Sequence, residues 1–298
     1  MISNPKISVV ILAKNEENLI KNTILQFIEQ ANYEKIEILV VNDGSTDSTE
    51  KILAQLNYSN LKTIRTNGIG ITKARNLGAK YTKGEILVFS DAHMELSNNW
   101  AKNLADYYAN EKFCMATPLI YDLSHNFKTY GCTLNKNFSL DYLHINPFNN
   151  YSPIAIGCFM IFSRDKYLEL GKYDEGMNYY GYEDIELSIR CWLMGFSIRL
   201  LPEIRVGHLW KDKINKDFDY IKNKYTILRT AYLHFNEQRI ERVKKIIKSH
   251  YDHHFSEVML KELINMINNS DTLKLQQQYR QIRINDDDWF MSNFNIPF

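Results

Sequence analysis

Long apolar runs are missing from this 298-residue chain. No stretch approaches the roughly 18 uninterrupted apolar residues that a membrane-spanning helix needs, so none is expected. Residues 1–5 show no basic segment leading into an apolar one, which speaks against a secretory signal peptide. Cysteine is scarce: the four thiols stand at 114, 132, 158 and 191, without CxxC spacing. That usage fits reduced, mostly buried thiols of a cytosolic protein. Neither sign of charge prevails, since 36 basic and 35 acidic residues leave +1, and nucleic acid is therefore not an expected partner. Internal repeats and low-complexity segments are absent as well. The expectation is a soluble, cytoplasmic, globular chain for which peripheral membrane contact stays open.

What is present is a rhythm. Residues 7–12, 36–41, 61–66 and 85–90 are apolar and β-branched, while 16–30 and 68–81 carry apolar residues at helical spacing. That alternation predicts βαβ units and a mostly parallel sheet flanked by helices. After His93 the rhythm breaks. Helix is expected over 97–110, strands over 113–120, 127–134 and 154–162, and a polar, aromatic-rich loop over 135–153. Helices are expected near 164–170 and over 181–195, with short strands at 196–201 and 205–208. Long polar helices follow from about Asn215, then an irregular tail from Asn285 that ends in exposed aromatics. The boundary is drawn at 213/214, giving a catalytic domain over 1–213 and a helical region over 214–298 for acceptor, partner or packing contacts.

Chemistry concentrates where strands end. The run 86–90 stops in Asp91-Ala92-His93. Residues i and i+2 of extended chain point the same way, so a carboxylate and an imidazole there can share one divalent ion. In an open α/β sheet, ligands bind at that edge. Both residues could instead cap the next helix. His208 follows another short β run and could add a third ligand, or be a hydrogen-bonded core histidine. Asp43, in Val-Asn-Asp-Gly-Ser-Thr-Asp, could accept from a nucleobase N–H or a ribose hydroxyl, or cap a helix as Asp47 or Ser45 equally could. Arg75 could present its fork to a base or phosphates, or lie on a solvated helix face. Glu183 and Asp184 open a helix, where the dipole keeps a carboxylate ionised, as a base requires; capping is the alternative. Tyr179, Tyr180, Tyr182, Trp192 and Trp210 could stack on sugars or belong to the core.

In this order, segments 8–16, 40–47, 74–78, 89–93 and 181–190 resemble the family 2 glycosyltransferases of the GT-A fold, over about residues 6–212. The resemblance implies a metal-dependent transfer of a hexose or N-acetylhexosamine from a UDP-sugar to a hydroxyl or thiol of a peptide, protein or glycan. It implies that Asp43 and Arg75 bind uridine, with Ala13, Asn15, Glu16, Asp91 and Ala92 also on the donor. It places Asp91 at the family's Asp-x-Asp metal motif, where His93 replaces the second aspartate. That replacement, His208 and Glu183 look like the polypeptide N-acetylgalactosaminyltransferases, which are retaining. Asp184 after Glu183 is similar instead to inverting bacterial members, in which the aspartate is the base. Inversion is the expectation, with Mn²⁺ or Mg²⁺ on Asp91, His93 and His208 and residues 210–216 as a lid; a retaining enzyme is the alternative.

Two rivals remain. A nucleotidyltransferase would need a glycine-rich loop after the first strand, where Ala13-Lys14-Asn15-Glu16 stands. A non-catalytic nucleotide-sugar-binding module would have no need of the intact ligand and base residues. The C-terminal helices could also pair two copies of the chain.

Overall fold

The computed structural model describes residues 6–298 other than 34, 125–126, 178, 211–218 and 250–252. The first half follows the predicted rhythm: β1 (Ile7–Ala13), α1 (Ile20–Glu29), β2 (Ile36–Asp43), α2 (Thr49–Gln55), β3 (Leu61–Thr66), α3 (Ile71–Lys80) and β4 (Ile86–Ser90). β1 and β4 are apolar along their length because both their faces are covered. Then come β5 (Met94–Leu96), α4 (Trp100–Asn110), β6 (Met115–Asp122), β7 (Lys128–Thr129), β8 (Cys132–Leu134) and β9 (Leu140–Tyr142). β10 (Phe159–Ser163), α5 (Arg164–Glu169), α6 (Glu183–Leu193) and β11 (Ile198–His208) complete the α/β part. The C-terminal helices are α7 (Tyr220–His234), α8 (Glu237–Ser249), α9 (His253–Asn268), α10 (Thr272–Ile282) and α11 (Asp287–Asn293).

The main sheet runs β3-β2-β1-β4-β10-β6-β11-β5, with β7 on β6. β3, β2, β1 and β4 are parallel, as are β6 and β11, while β10 and β5 run antiparallel to their neighbours. Register aligns the carboxyl ends of β1, β2 and β4, so the chain emerges at one edge near Asn15, Asp43 and Asp91. The antiparallel pairing of β11 with β5 sets His208 opposite Met94. Leu209 N–H then donates to the His93 carbonyl at 3.2 Å, which fixes the two histidines side by side.

Several expectations needed correction: the run 127–134 is split into β7 and β8, which pair in different sheets, and the loop over 135–153 carries β9. Only Phe159–Ser163 of the run 154–162 is strand, because residues 157–158 turn their backbone toward site residues instead of the sheet. The two short strands at 196–201 and 205–208 are one strand, whose register against β6 shifts between Leu201 and Arg205; Pro202, lacking an N–H, sits in that irregularity. The tail carries a helix and buries three of its four aromatics, leaving Trp289 exposed. Asp286 caps α11 by accepting from Trp289 N–H at 2.8 Å, and carboxylates suit a helix N-terminus. Phe290, Phe294 and Phe298 are buried, with Phe298 stacked on Phe138 at 5.0 Å. The 213/214 boundary falls outside the described residues. Among the described residues no helix is long and apolar enough to cross a membrane.

Buried charge ties the C-terminal helices to the sheet domain. Arg190 donates to both Glu186 oxygens at 2.9 and 2.6 Å, and His234 Nε2 of α7 lies 2.7 Å from Glu186 Oε1. Arg229 of α7 donates to both oxygens of Asp174 at 2.7 and 2.9 Å. Burial alone would raise the Glu186 carboxyl, but Arg190 and His234 outweigh it and bring it from 4.5 down to about 2. A depressed carboxyl stabilises the fold above its unfolded value and loses that contribution as pH falls. Stability should therefore drop as pH goes from about 4.5 toward 2. Glu186→Gln, which leaves Arg190 buried without a counter-charge, should cost roughly 3–5 kcal/mol by denaturant titration at neutral pH and flatten that acid slope.

Candidate active site

The first wall is built from two loops fastened to each other. After β1, Asn15 N–H donates to Ser45 Oγ (2.9 Å) and Asn15 Oδ1 accepts from Thr46 N–H (2.8 Å). Glu16 N–H donates to Thr49 Oγ1 (2.8 Å) and Glu17 N–H to Asp47 Oδ2 (3.1 Å). Asp47 also accepts from Thr49 N–H at the start of α2 (2.9 Å). Asp47 thus ties the turn before α2, whose N-cap residue Ser48 makes no side-chain capping bond, and Asp43 takes no part in it. The Asp43 carboxylate accepts from Ile69 N–H (2.7 Å), Gly70 N–H (2.9 Å) and the Thr66 hydroxyl, bracing the loop that leads into α3.

At the centre, Asp91, His93 and His208 offer ligand atoms within 4.8 Å of one another. His208 Nε2 is 3.4 Å and His93 Nε2 3.9 Å from Asp91 Oδ2. Both ring nitrogens of His208 are buried and make no hydrogen bond among the described residues. A buried polar atom without a partner is costly, and a cation shared with Asp91 and His93 is a partner that fits this donor set. His93 Nδ1 faces Glu16 Oε1 at 3.3 Å; a carboxylate on the far nitrogen of an imidazole ligand orients the ring. Glu16 therefore stands behind His93. The Thr23 hydroxyl of α1 donates to the Ala92 carbonyl (2.9 Å) and accepts from Met94 N–H (3.0 Å), clamping the Asp91–His93 segment; Ala13 and Ala92 are buried in this edge. Burial would raise the Asp91 carboxyl, but His208, His93 and Arg75 hold it well below the usual range.

Arg75 does not lie on a solvated helix face. Its side chain is 3% exposed and its guanidinium forms part of the site's floor. Nη1 donates to Glu183 Oε1 (3.1 Å), Nη2 donates to the Gly157 carbonyl (2.9 Å) and lies 3.8 Å from Asp91 Oδ1, and the Tyr173 ring is 5.0 Å away. These contacts make Arg75 a bridge between the Asp91 cluster and the carboxylate pair.

That pair opens α6. Glu183 is buried and accepts from Gly181 N–H at 3.0 Å. Asp184 is half-buried and accepts from Gly157 N–H (3.0 Å) and Ile185 N–H (2.9 Å). Gly157 is required there, because a Cβ would stand 2.7 Å from Asp184 Oδ2. Burial, then the Asp184 charge, pushes Glu183 up to about 7; burial likewise raises Asp184 against the pull of Arg75 and those two amides. The glycine within the apolar run 154–162 reads in the sequence as a point of close approach, and Asp184 is what approaches it; no pattern marks Cys158, whose carbonyl accepts from Asp91 N–H at 3.0 Å.

The aromatics divide. Trp192 is core, donating to the carbonyls of Ser152 and Pro153. Tyr179 packs on Tyr225 of α7, Tyr182 packs on Phe138, and Tyr180 is exposed. Trp210 stands edge-on to His208 at 4.3 Å, with Phe127 and Tyr142 behind it. Of the expected lid over 210–216, residues 211–216 lie outside the described residues.

Residues 8–171, more than half of the chain, match the family model described as glycosyl transferase family 2. Polypeptide N-acetylgalactosaminyltransferase 8 of Drosophila melanogaster is 29% identical over 229 residues, covering 70% of this chain and 38% of that protein. N-acetylgalactosaminyltransferase 7 of the same organism is 25% identical over 319 residues, covering 97% and 52%. The chain thus spans about half or less of these curated relatives. The crystal structure of GalNAc-T7 with UDP, GalNAc and Mn²⁺ superposes with a TM-score of 0.74 at 21% identity, over 97% of this chain and 56% of that one. S. aureus TarS 1–349 in complex with UDP-GlcNAc gives 0.58 at 16%, over 93% and 79%. The fold is that of GT-A enzymes.

Titration calorimetry with Mn²⁺ and UDP should find His208→Ala strongly weakened and Glu16→Gln weakened by about 10- to 100-fold, the usual loss for an outer partner of a ligand. Unchanged affinity in His208→Ala would make it a core histidine.

Proposed function

This chain belongs to glycosyl transferase family 2, and from that premise we propose that it moves an N-acetylhexosamine from a UDP-sugar to a hydroxyl of a protein or peptide side chain. The observation that carries the reading is the juxtaposition of a buried Asp91–His93–His208 donor set with the Glu183–Asp184 pair, joined through Arg75. Likeness to N-acetylgalactosaminyltransferases supports the donor sugar and the protein acceptor; a glycan acceptor or a thiol uses the same chemistry.

A divalent ion held by Asp91, His93 and His208 would supply Lewis-acid neutralisation of the charge that develops on the diphosphate. Imidazole donors favour Mn²⁺ over Mg²⁺ there. Asp43 orders the loop at residues 66–70 against which the nucleoside rests, and Asn15 and Glu16 hold the opposite wall. Asp184 takes the proton of the acceptor hydroxyl while its oxygen attacks the anomeric carbon. The bond from that carbon to the diphosphate breaks with its electron pair on the departing UDP oxygen. Gly157 and Ile185 amides aim the Asp184 carboxylate, and Arg75 balances the charge of Glu183 and Asp91 beside it. Single displacement inverts the anomeric centre. Retention is the second reading, favoured by the polypeptide-transferase relatives, and the anomeric configuration of the product by NMR separates the two.

Asp184→Asn should abolish transfer while Mn²⁺-dependent UDP binding survives; near wild-type transfer would remove Asp184 as base. The base works ionised, and burial raises the Asp184 carboxyl above its usual range. At saturating Mn²⁺ the rate should therefore climb with pH along an acid limb that lies above the ordinary carboxylate range. Glu183→Gln leaves Asp184 as the titrating carboxyl of the pair, so that limb should persist; its loss would assign it to Glu183, which burial and the Asp184 charge push up to about 7.

A further inference from the structure

The turn that delivers the carboxylate pair is strained. Gly181 and Tyr182 both have left-handed backbones, with φ of 96° and 72°. A tyrosine stays there only where its surroundings over-determine it. Those surroundings come largely from α7, a helix outside the α/β part. Asn223 Nδ2 donates to the Tyr180 carbonyl at 3.2 Å. It also packs against Gly181 so closely that a Cβ there would stand 2.8 Å from it. One residue before Tyr180, Tyr179 meets Tyr225 edge to face at 6.0 Å, with the Lys222 ammonium 5.3 Å from its ring.

The same helix holds both ends of the segment. Upstream, Arg229 binds Asp174; downstream, His234 meets Glu186. Inside the turn, Gly181 N–H donates to Glu183 Oε2 at 3.0 Å, so the backbone and the carboxylate move as one unit. The Tyr182 hydroxyl adds a bond to the Phe138 carbonyl from the opposite side.

We propose that Asn223 is a positioning residue for the reaction. It acts through the Tyr180–Tyr182 turn to set the direction in which Glu183 and Asp184 face the substrates. The proposal rests on the reading that these two carboxylates do the chemistry. Among the described residues Asn223 bonds to neither the Asp91 cluster nor the Asp43 loop, so its effect falls on the chemical step and not on donor affinity.

The test uses the full chain with Mn²⁺ and a range of UDP-sugar concentrations, together with hydrogen exchange over residues 179–186, which needs no turnover. In Asn223→Ala, kcat should fall about three- to tenfold, the loss expected for one hydrogen bond, with the donor KM within about twofold. Exchange should quicken in that segment alone. Asn223→Asp has the same size but faces the Tyr180 carbonyl with an acceptor, and should fall at least as far as Asn223→Ala. Wild-type kcat and exchange in Asn223→Ala would overturn the proposal. So would a fully active Asn223→Asp, which would leave only a space-filling role, or quicker exchange throughout the chain, which would mark a general structural one. Retained transfer in Asp184→Asn would instead overturn the reading beneath it, whereas loss there beside an unaffected Asn223→Ala would overturn the positioning role alone.

Discussion

The structure turns on one buried guanidinium. Arg75 is almost wholly removed from water, and an uncompensated charge in that position would be strongly destabilising. It is compensated by Glu183, the Gly157 carbonyl, the Tyr173 face and the nearby Asp91 carboxylate. The dependence runs both ways, since Glu183, Asp184 and Asp91 could not crowd together without a cation among them. Four stretches distant in sequence are held by this contact: α3, the end of β4, the 157–158 backbone and the start of α6. The depth of α3 is set by Gly78, where any Cβ would collide with Val10 of β1.

From that centre two different electrostatic environments diverge. On one side Asp91 is surrounded by His208, His93 and Arg75, which keep it an anion suited to a metal. On the other, burial raises both Glu183 and Asp184, and the Asp184 charge raises Glu183 further. Carboxylates driven apart in this way serve different chemical roles. The C-terminal helices belong to this arrangement. α7 reaches the segment bearing the pair through the buried Arg229–Asp174 ion pair and the buried His234–Glu186 contact, so the bundle bears on the turn that presents the carboxylates.

Much of this was legible in the sequence where a local rule and the fold agree. The strand run ending in Asp91-Ala92-His93 pointed to a carboxylate and an imidazole that lie together beyond the end of β4, and β11 brings His208 beside them. The βαβ rhythm up to Ser90 emerged nearly residue for residue. Legibility failed where tertiary contacts decide. Arg75 read as a fork for a base or phosphates, or as a solvated helix-face residue, because its partners Glu183 and Gly157 lie 108 and 82 residues away. Residues 154–158 looked like strand from their apolar character, yet Ile154 bridges to Cys132, Ala155 N–H donates to Ser188 Oγ, and the backbone of Gly157 and Cys158 is taken up by Asp184, Arg75 and Asp91. The tail looked exposed because its helix is short; the capping Asp286 and the four-residue spacing of Phe290, Phe294 and Phe298 were the signals that would have found it.

The measurement that bears most directly on the central claim is UDP release from a panel of UDP-sugars, with Mn²⁺, with and without EDTA, and with and without peptide acceptors. The account predicts release that selects among the sugars, is abolished by EDTA and accelerates when an acceptor hydroxyl is supplied. Release indifferent to EDTA, or none from any UDP-sugar with either peptide or glycan acceptors, would contradict it.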